Sequence, residues 1–310
     1  MINKVICIVI ILLIRFSLIS TADSLKFEEL NNSIISQSFN GTTLYVGGNG
    51  PGNYSKIQDA IDNASSGDTI FVYKESSPYY ENIIIKQDNI KLIGEEKQST
   101  IIDGNGIGHV IDINSNNTTL EKFTIQHSGS VEEFEFDSGI HVNYMSNNIN
   151  ITENIIIDNQ HGIFFDGCQN SVISKNIILR NIEGIIMYGD ARNNVIYQNK
   201  IENNRNAIHE AFTRYSHIIS NNIANNTGVG IICSVTTYHI TEKNNFINNS
   251  YHAYFEGKLK YFSERNIWIR NYWDSWIGFG PKIIKGRIYL PWINFDWFPE
   301  NKPYNISLND

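Results

Sequence analysis

Asn154-Ile155-Ile156-Ile157-Asp158-Asn159 is followed by Asn176-Ile177-Ile178-Leu179-Arg180-Asn181 and then by Asn199-Lys200-Ile201-Glu202-Asn203-Asn204. This hexamer, Asn-x-(Ile/Phe/Trp)-x-x-Asn, occurs six times, with leading residues Asn154, Asn176, Asn199, Asn221, Asn244 and Asn266 at steps of 22, 23, 22, 23 and 22. A fixed period in the low twenties marks stacked supersecondary units. A second marker, a small residue followed by an apolar one, keeps the same beat at Gly139-Ile140, Gly162-Ile163, Gly184-Ile185, Ala207-Ile208, Gly230-Ile231 and Ala253-Tyr254. Codon bias can raise the amounts of Asn and Ile, but it cannot hold them in register.

Each repeat carries three short apolar stretches separated by polar corners, for example Asn154 to Ile157, Ile163 to Phe165, and Val172-Ile173. Three short strands and three turns per repeat describe one coil of an all-β, right-handed, single-stranded parallel β-helix of about ten coils. One coil buries too little apolar surface to offset its own ordering, so the coils must stack cooperatively. Asn suits the corners because it tolerates the left-handed conformation and its amide can bond the Asn above and below. The Asn columns therefore read as scaffold.

The regular coils are preceded by a cap and irregular rungs. Ser55 to Ala64 has helical spacing at Ile57, Ala60, Ile61 and Ala64, with Ser55 and Gln58 as a capping box and Gly67 beyond the end. Strands are expected at Thr69 to Tyr73, Ile83 to Ile85, Ile90 to Ile93, Ile101-Ile102, Val110 to Ile113 and Leu120 to Ile125. All five tryptophans fall between Trp268 and Trp297, where the open end of the solenoid needs a cover. The expected organisation is a signal peptide at 1–22, a loosely held segment at 23–42, the β-helix at 43–271 and a C-terminal capping segment at 272–310.

Residues 1–22 have the layout of a secretory signal: Lys4, an apolar run from Val5 to Ile14, and the small residues Ser20-Thr21-Ala22. Arg15 interrupts the run, an uncleaved anchor being the alternative, and no later segment has the length to span a bilayer. The expected location is secreted or cell-surface. The full chain carries a net charge of −8. An acidic chain without a basic run excludes nucleic acid as a natural partner. Ten Asn-x-Ser/Thr sequons fit a glycosylated surface protein. Cys168 and Cys233 lie three repeats apart, roughly 14 Å at about 4.8 Å per layer, so two free thiols are expected.

Ser55-Lys56-Ile57-Gln58-Asp59-Ala60-Ile61, Gly67-Asp68-Thr69-Ile70 and Tyr80-Glu81-Asn82-Ile83 resemble the start of secreted pectin-lyase-like β-helix proteins. The Asn-x-Ile-x-x-Asn and Gly-Ile repeats, ended by Asn271-Tyr272-Trp273-Asp274, resemble NosD-type β-helix proteins over roughly residues 43 to 304. That resemblance implies the fold, and an association with copper in the family's namesake. Copper handling calls for clustered soft or imidazole ligands. In this chain Met145, Met187 and the histidines look scattered, so no metal residue and no cofactor is assigned.

Three functional readings follow. If the second residue of the small-apolar marker points inward, the next points outward. The outward column then reads His141, Phe164, Ile186, His209, Ile232 and Phe255, a candidate groove for a polysaccharide or surface glycan unless the tail or a loop covers it. This supports a non-enzymatic surface protein that binds carbohydrate or serves in surface adhesion. The alternative is a polysaccharide lyase, epimerase or hydrolase, for which Asp166, Asp190 and Glu210, with Arg192 and Arg214 nearby, form the nearest constellation; no catalytic residue is assigned. The third reading is a ligand-free envelope component. The long step between Gln126 and Gly139 carries Glu132, Glu133, Glu135 and Asp137, a solvated acidic loop or a calcium site.

Overall fold

The computed structural model describes residues 41–130, 136–257 and 266–307. The proposed signal segment, the residues from 23 to 40 and the acidic Glu132, Glu133 and Glu135 lie outside them. Among the described residues no helix is long and apolar enough to cross a membrane.

The chain winds as a right-handed parallel β-solenoid of about nine turns. Three strand ladders make three faces. The wide face carries the longest strands, among them Ser138–Val142, His161–Asp166, Glu183–Tyr188, Asn206–Ala211, Val229–Ser234 and Tyr251–Gly257. The second face includes Asn150–Thr152, Val172–Ser174, Val195–Tyr197, His217–Ile219 and Ile240–Glu242. Among the described residues the third face holds nine strands, including Ile155–Ile157, Ile177–Leu179 and Lys200–Glu202. Ile156, Ile178, Ile201 and Ile223 are fully buried and register on one another, so the central hexamer residue forms a column of the core. The expected strand from Leu120 to Ile125 is two strands, broken where Lys122 takes φ 66°.

The Asn columns are scaffold, though not for their backbone conformation. The left-handed residue is the one before each Asn: Glu153, Lys175, Gln198, Ser220 and Lys243 before the leading set, and Asp158, Arg180, Asn203, Asn225 and Asn248 before the trailing set. Such conformations cost a non-glycine residue roughly 1–2 kcal/mol each. The Asn amides offset this. The Asn176 side-chain oxygen accepts the Asn154 N–H at 2.9 Å, and the Asn176 amide donates to the Ile151 carbonyl at 2.8 Å and to the Asn199 oxygen at 3.1 Å. The same pattern climbs through Asn199, Asn221 and Asn244.

The sixth hexamer leaves this register. Asn244 bonds to Asn271, not to Asn266. Trp268 pairs with Thr241 on the second face, while Trp273 stacks on Phe246 with ring centroids 4.1 Å apart. The step is therefore 27 residues in the ladder, and the true sixth element is Asn271-Tyr272-Trp273. Beyond it, Lys282–Ile288 and Leu290–Asp296 form an antiparallel hairpin that continues two faces and covers the end.

The opposite end is closed by helix α1, Ile57–Asn63, which buries Ile57, Ala60 and Ile61. No side chain of its own cap residue bonds its N-terminus. Instead the Glu81 carboxylate accepts the N–H groups of Ile57 and Gln58 at 2.9 and 3.0 Å. Gln58 is thereby freed from the expected capping box. Its side chain accepts the Ile84 N–H at 2.8 Å and donates to the Ile84 carbonyl, covering the bare edge of the first wide strand.

The small-residue marker has a steric cause. A β-carbon on Gly162 would lie 2.4 Å from the Gly184 carbonyl oxygen of the next coil. Cys168 and Cys233 are buried and free, as their separation requires.

Candidate functional site on the wide face

The outward row of the wide face runs His141, Phe164, Ile186, His209, Ile232 and Tyr254. Tyr254, not Phe255, holds the sixth place. Ala253 pairs with Ile231 and so occupies the inward position that Ile fills elsewhere, which shifts the marker by one residue. Phe255 faces inward and is buried in the core. The row is not a bare stripe: Phe164 and Ile186 are themselves buried, and Phe136 leans over Phe164 with ring centroids 5.3 Å apart.

At its N-terminal end the row meets a polar network. His141 pairs with the Phe164 ring at 5.4 Å and extends Nδ1 to Asp112 Oδ1 at 2.8 Å. Asp112 precedes His141 in the same outward column. Its other oxygen accepts the Asn114 amide at 2.6 Å, and Asn143 donates to Asn114 at 2.5 Å. Burial pushes the Asp112 carboxyl up, but the hydrogen bonds from His141 and Asn114 outweigh it and leave the group below the ordinary carboxylate value. His109 stacks on His141 at 4.3 Å, and its Nδ1 accepts the Ser138 N–H at 3.1 Å. Burial, aided by the neighbouring His141, holds His109 below the ordinary imidazole value, so it is neutral at pH 7. The ensemble is a carboxylate-oriented imidazole beside aromatic rings. It can hydrogen-bond a sugar hydroxyl or take up a proton. Sequence reading found His141 and Phe164 but missed His109 and Asp112, because the coil between Asp112 and His141 spans 29 residues and breaks the beat.

The acids singled out as a catalytic constellation do not converge. Asp190 sits at a corner, paired with Arg192 and lying 3.4 Å from Arg214. Asp166 lies on the wide face, pairing with Tyr188. Glu210 points into the core and is fully buried. There it meets Cys233 and His239 of the next coil, with one donor atom of each within 4.8 Å of the others. Asp137 is half-buried, and its carbonyl accepts the His161 N–H at 3.2 Å.

A family profile described as periplasmic copper-binding protein (NosD) matches residues 61–278. The chain belongs to the NosD family. No curated protein matches it. Among solved structures, the alginate lyase of Paenibacillus sp. str. FPU-7 is 15% identical, with 76% of this chain and 88% of that one aligned at a TM-score of 0.54. A pectate lyase from a Bacillus species, in complex with trigalacturonate, is 17% identical over 76% of this chain and 82% of its own, at 0.51. A periplasmic alginate epimerase is 14% identical over 74% of this chain and 54% of its own, at 0.52. At these identities the likeness is one of fold.

The family's description implies copper. Among the described residues, the three-residue donor cluster is Glu210, Cys233 and His239. One thiolate, one imidazole and one carboxylate make a mixed set, whereas copper(I) is selected by soft thiolate and thioether donors. Met145 lies exposed on the surface. This donor set does not fit copper(I) well.

Proposed function

We propose that this protein acts outside the cytoplasm and binds an extended polysaccharide along its wide face. The observation that carries the reading is the outward row from His141 to Tyr254, which starts at the Asp112–His141 pair. Six positions at about 4.8 Å per coil offer a track of about 24 Å, matched to a chain lying along the solenoid axis. Rings at both ends offer stacking surfaces for pyranoses, and the paired polar groups offer hydrogen bonds that fix register. The periplasmic description of the family supports the location. Proteins of the same fold that act on alginate and pectate support the ligand class.

A second reading, polysaccharide modification, is favoured by one feature. Asp112 orients His141 at 2.8 Å, as a carboxylate orients a general base. The experiment that separates the two incubates the full chain with acidic and neutral polysaccharides and follows polymer length by size-exclusion chromatography. Co-elution of uncut polymer, weakened at least tenfold in His141→Ala and in Tyr254→Ala, is the expected result. Shortened chains whose appearance requires His141 would establish the enzyme reading. Neither retention nor cleavage on any polymer would overturn both.

A further inference from the structure

The inward column of the wide face runs Val142, Phe165, Met187, Glu210, Cys233 and Phe255. A carboxylate has no ordinary place in such a column, since an unpaired buried charge costs several kcal/mol. Glu210 and His239 nevertheless have no exposed side-chain surface. His239 Nδ1 lies 2.5 Å from Glu210 Oε2, and Nε2 lies 3.8 Å from Cys233 Sγ with the Thr241 hydroxyl against it. Nδ1 and Oε2 form a close buried ion pair, while Glu210 Oε1 and the buried hydroxyls of Thr213, Ser216 and Thr237 have no hydrogen-bond partner. Ser216 lies one coil before His239 in the same column. Native interiors leave few such groups, and each needs an explanation.

We propose that Glu210, Cys233 and His239 form a metal site inside the solenoid for one divalent d-block cation of zinc type. The 3.8 Å between Cys233 Sγ and His239 Nε2 suits two ligands about 2.3 and 2.0 Å from a common ion. Glu210, against the other ring nitrogen, orients the imidazole as carboxylates do behind metal-bound histidines. Charge decides between ions. A thiolate and a carboxylate in a dry core are neutralised by a dication and leave one negative charge over with copper(I). Met187, next to Glu210 in the column, is a thioether and the feature that favours copper; the test therefore includes that metal. Entry belongs to folding, because the donors meet only when one coil stacks on the next.

The test isolates the full chain from cells grown with both zinc and copper and measures metal per chain by plasma mass spectrometry. One zinc per chain, resistant to EDTA until the protein is unfolded, is expected. Refolding with cobalt(II) should produce a thiolate-to-cobalt charge-transfer band that persists in Cys168→Ser and is absent in Cys233→Ser. Glu210→Gln, close in shape, should weaken zinc retention at least tenfold. If Cys233→Ser does not fold, the band in a Cys7→Ser, Cys168→Ser double variant still decides, since Cys233 is then the one cysteine left in the sequence. A folded wild-type chain that takes up neither zinc nor cobalt on refolding overturns the site, and one copper in place of zinc overturns the choice of ion.

Discussion

Asp296 stands where the next rung of the Asn ladder would be, and its carboxylate accepts both the Asn271 N–H at 2.9 Å and the Asn271 side-chain amide at 3.0 Å. It also receives the Trp273 indole N–H at 3.0 Å and the N–H groups of Arg270 and Phe298. Burial raises this carboxyl, and the donors from Trp273 and Asn271 pull it back only in part. A carboxylate ends the ladder because two acceptor oxygens can serve five donors, which an amide cannot.

Asp296→Asn should therefore destabilise the protein by about 1–3 kcal/mol, because the new NH2 faces donors. Denaturant midpoints check this. An unchanged midpoint would mean that the cap tolerates an amide and that the donor count does not decide.

Adjacent asparagines should differ sharply. Asn221 accepts from Asn199 at 2.9 Å and donates to the Ile196 carbonyl at 2.8 Å, all buried. Asn222 points its amide outward to Glu202 at 2.7 Å. Asn221→Ala should cost about 1–3 kcal/mol, and Asn222→Ala about 0.5 kcal/mol. Equal losses in thermal or denaturant unfolding would argue against a ladder that carries stability.

Phe255 and Tyr254 separate core from surface in the same strand. Phe255→Ala should cost about 3–5 kcal/mol, whereas Tyr254→Ala should cost less than about 1 kcal/mol and lose glycan retention instead. The opposite pattern in unfolding would reverse the register read from Cys233 pairing with Phe255.

Acid should weaken the fold before carboxylates begin to titrate. Burial lowers His109, His161 and His252 below the ordinary imidazole value. A group lowered in the folded state supplies stability above its unfolded pKa of about 6.5 and loses it as pH falls toward the folded value. Denaturant midpoints should fall between pH 6.5 and 5, and His→Gln at the three sites should flatten that slope. A midpoint flat over this range in the wild type would contradict the burial of these rings.

The period, the three strands per coil and the inward Ile columns were legible because stacking demands the same spacing at every level, and that demand is written as a repeat. The registers that failed were local. Trp268 fits the hexamer by composition, yet the coil before it is longer, and Trp273 takes the stacked place. Ala253 fits the small-residue marker at a step of 23, yet the register from Ile231 to Ala253 is a step of 22, so Ala253 sits inward and Phe255 turns into the core. The helix cap failed for another reason: Glu81 reaches α1 from the following coil, a partner that no local motif can announce.

The linear chain was thus sufficient for the solenoid and for His141 and Phe164 as outward neighbours, since alternation along a strand is a local rule. It could not place His109 over His141, or bring Cys233 and His239 to Glu210. Those meetings depend on the residue count of each intervening coil and on which corner carries an extra residue. Contacts across coils follow the sum of these lengths, and only the stacked structure performs that sum.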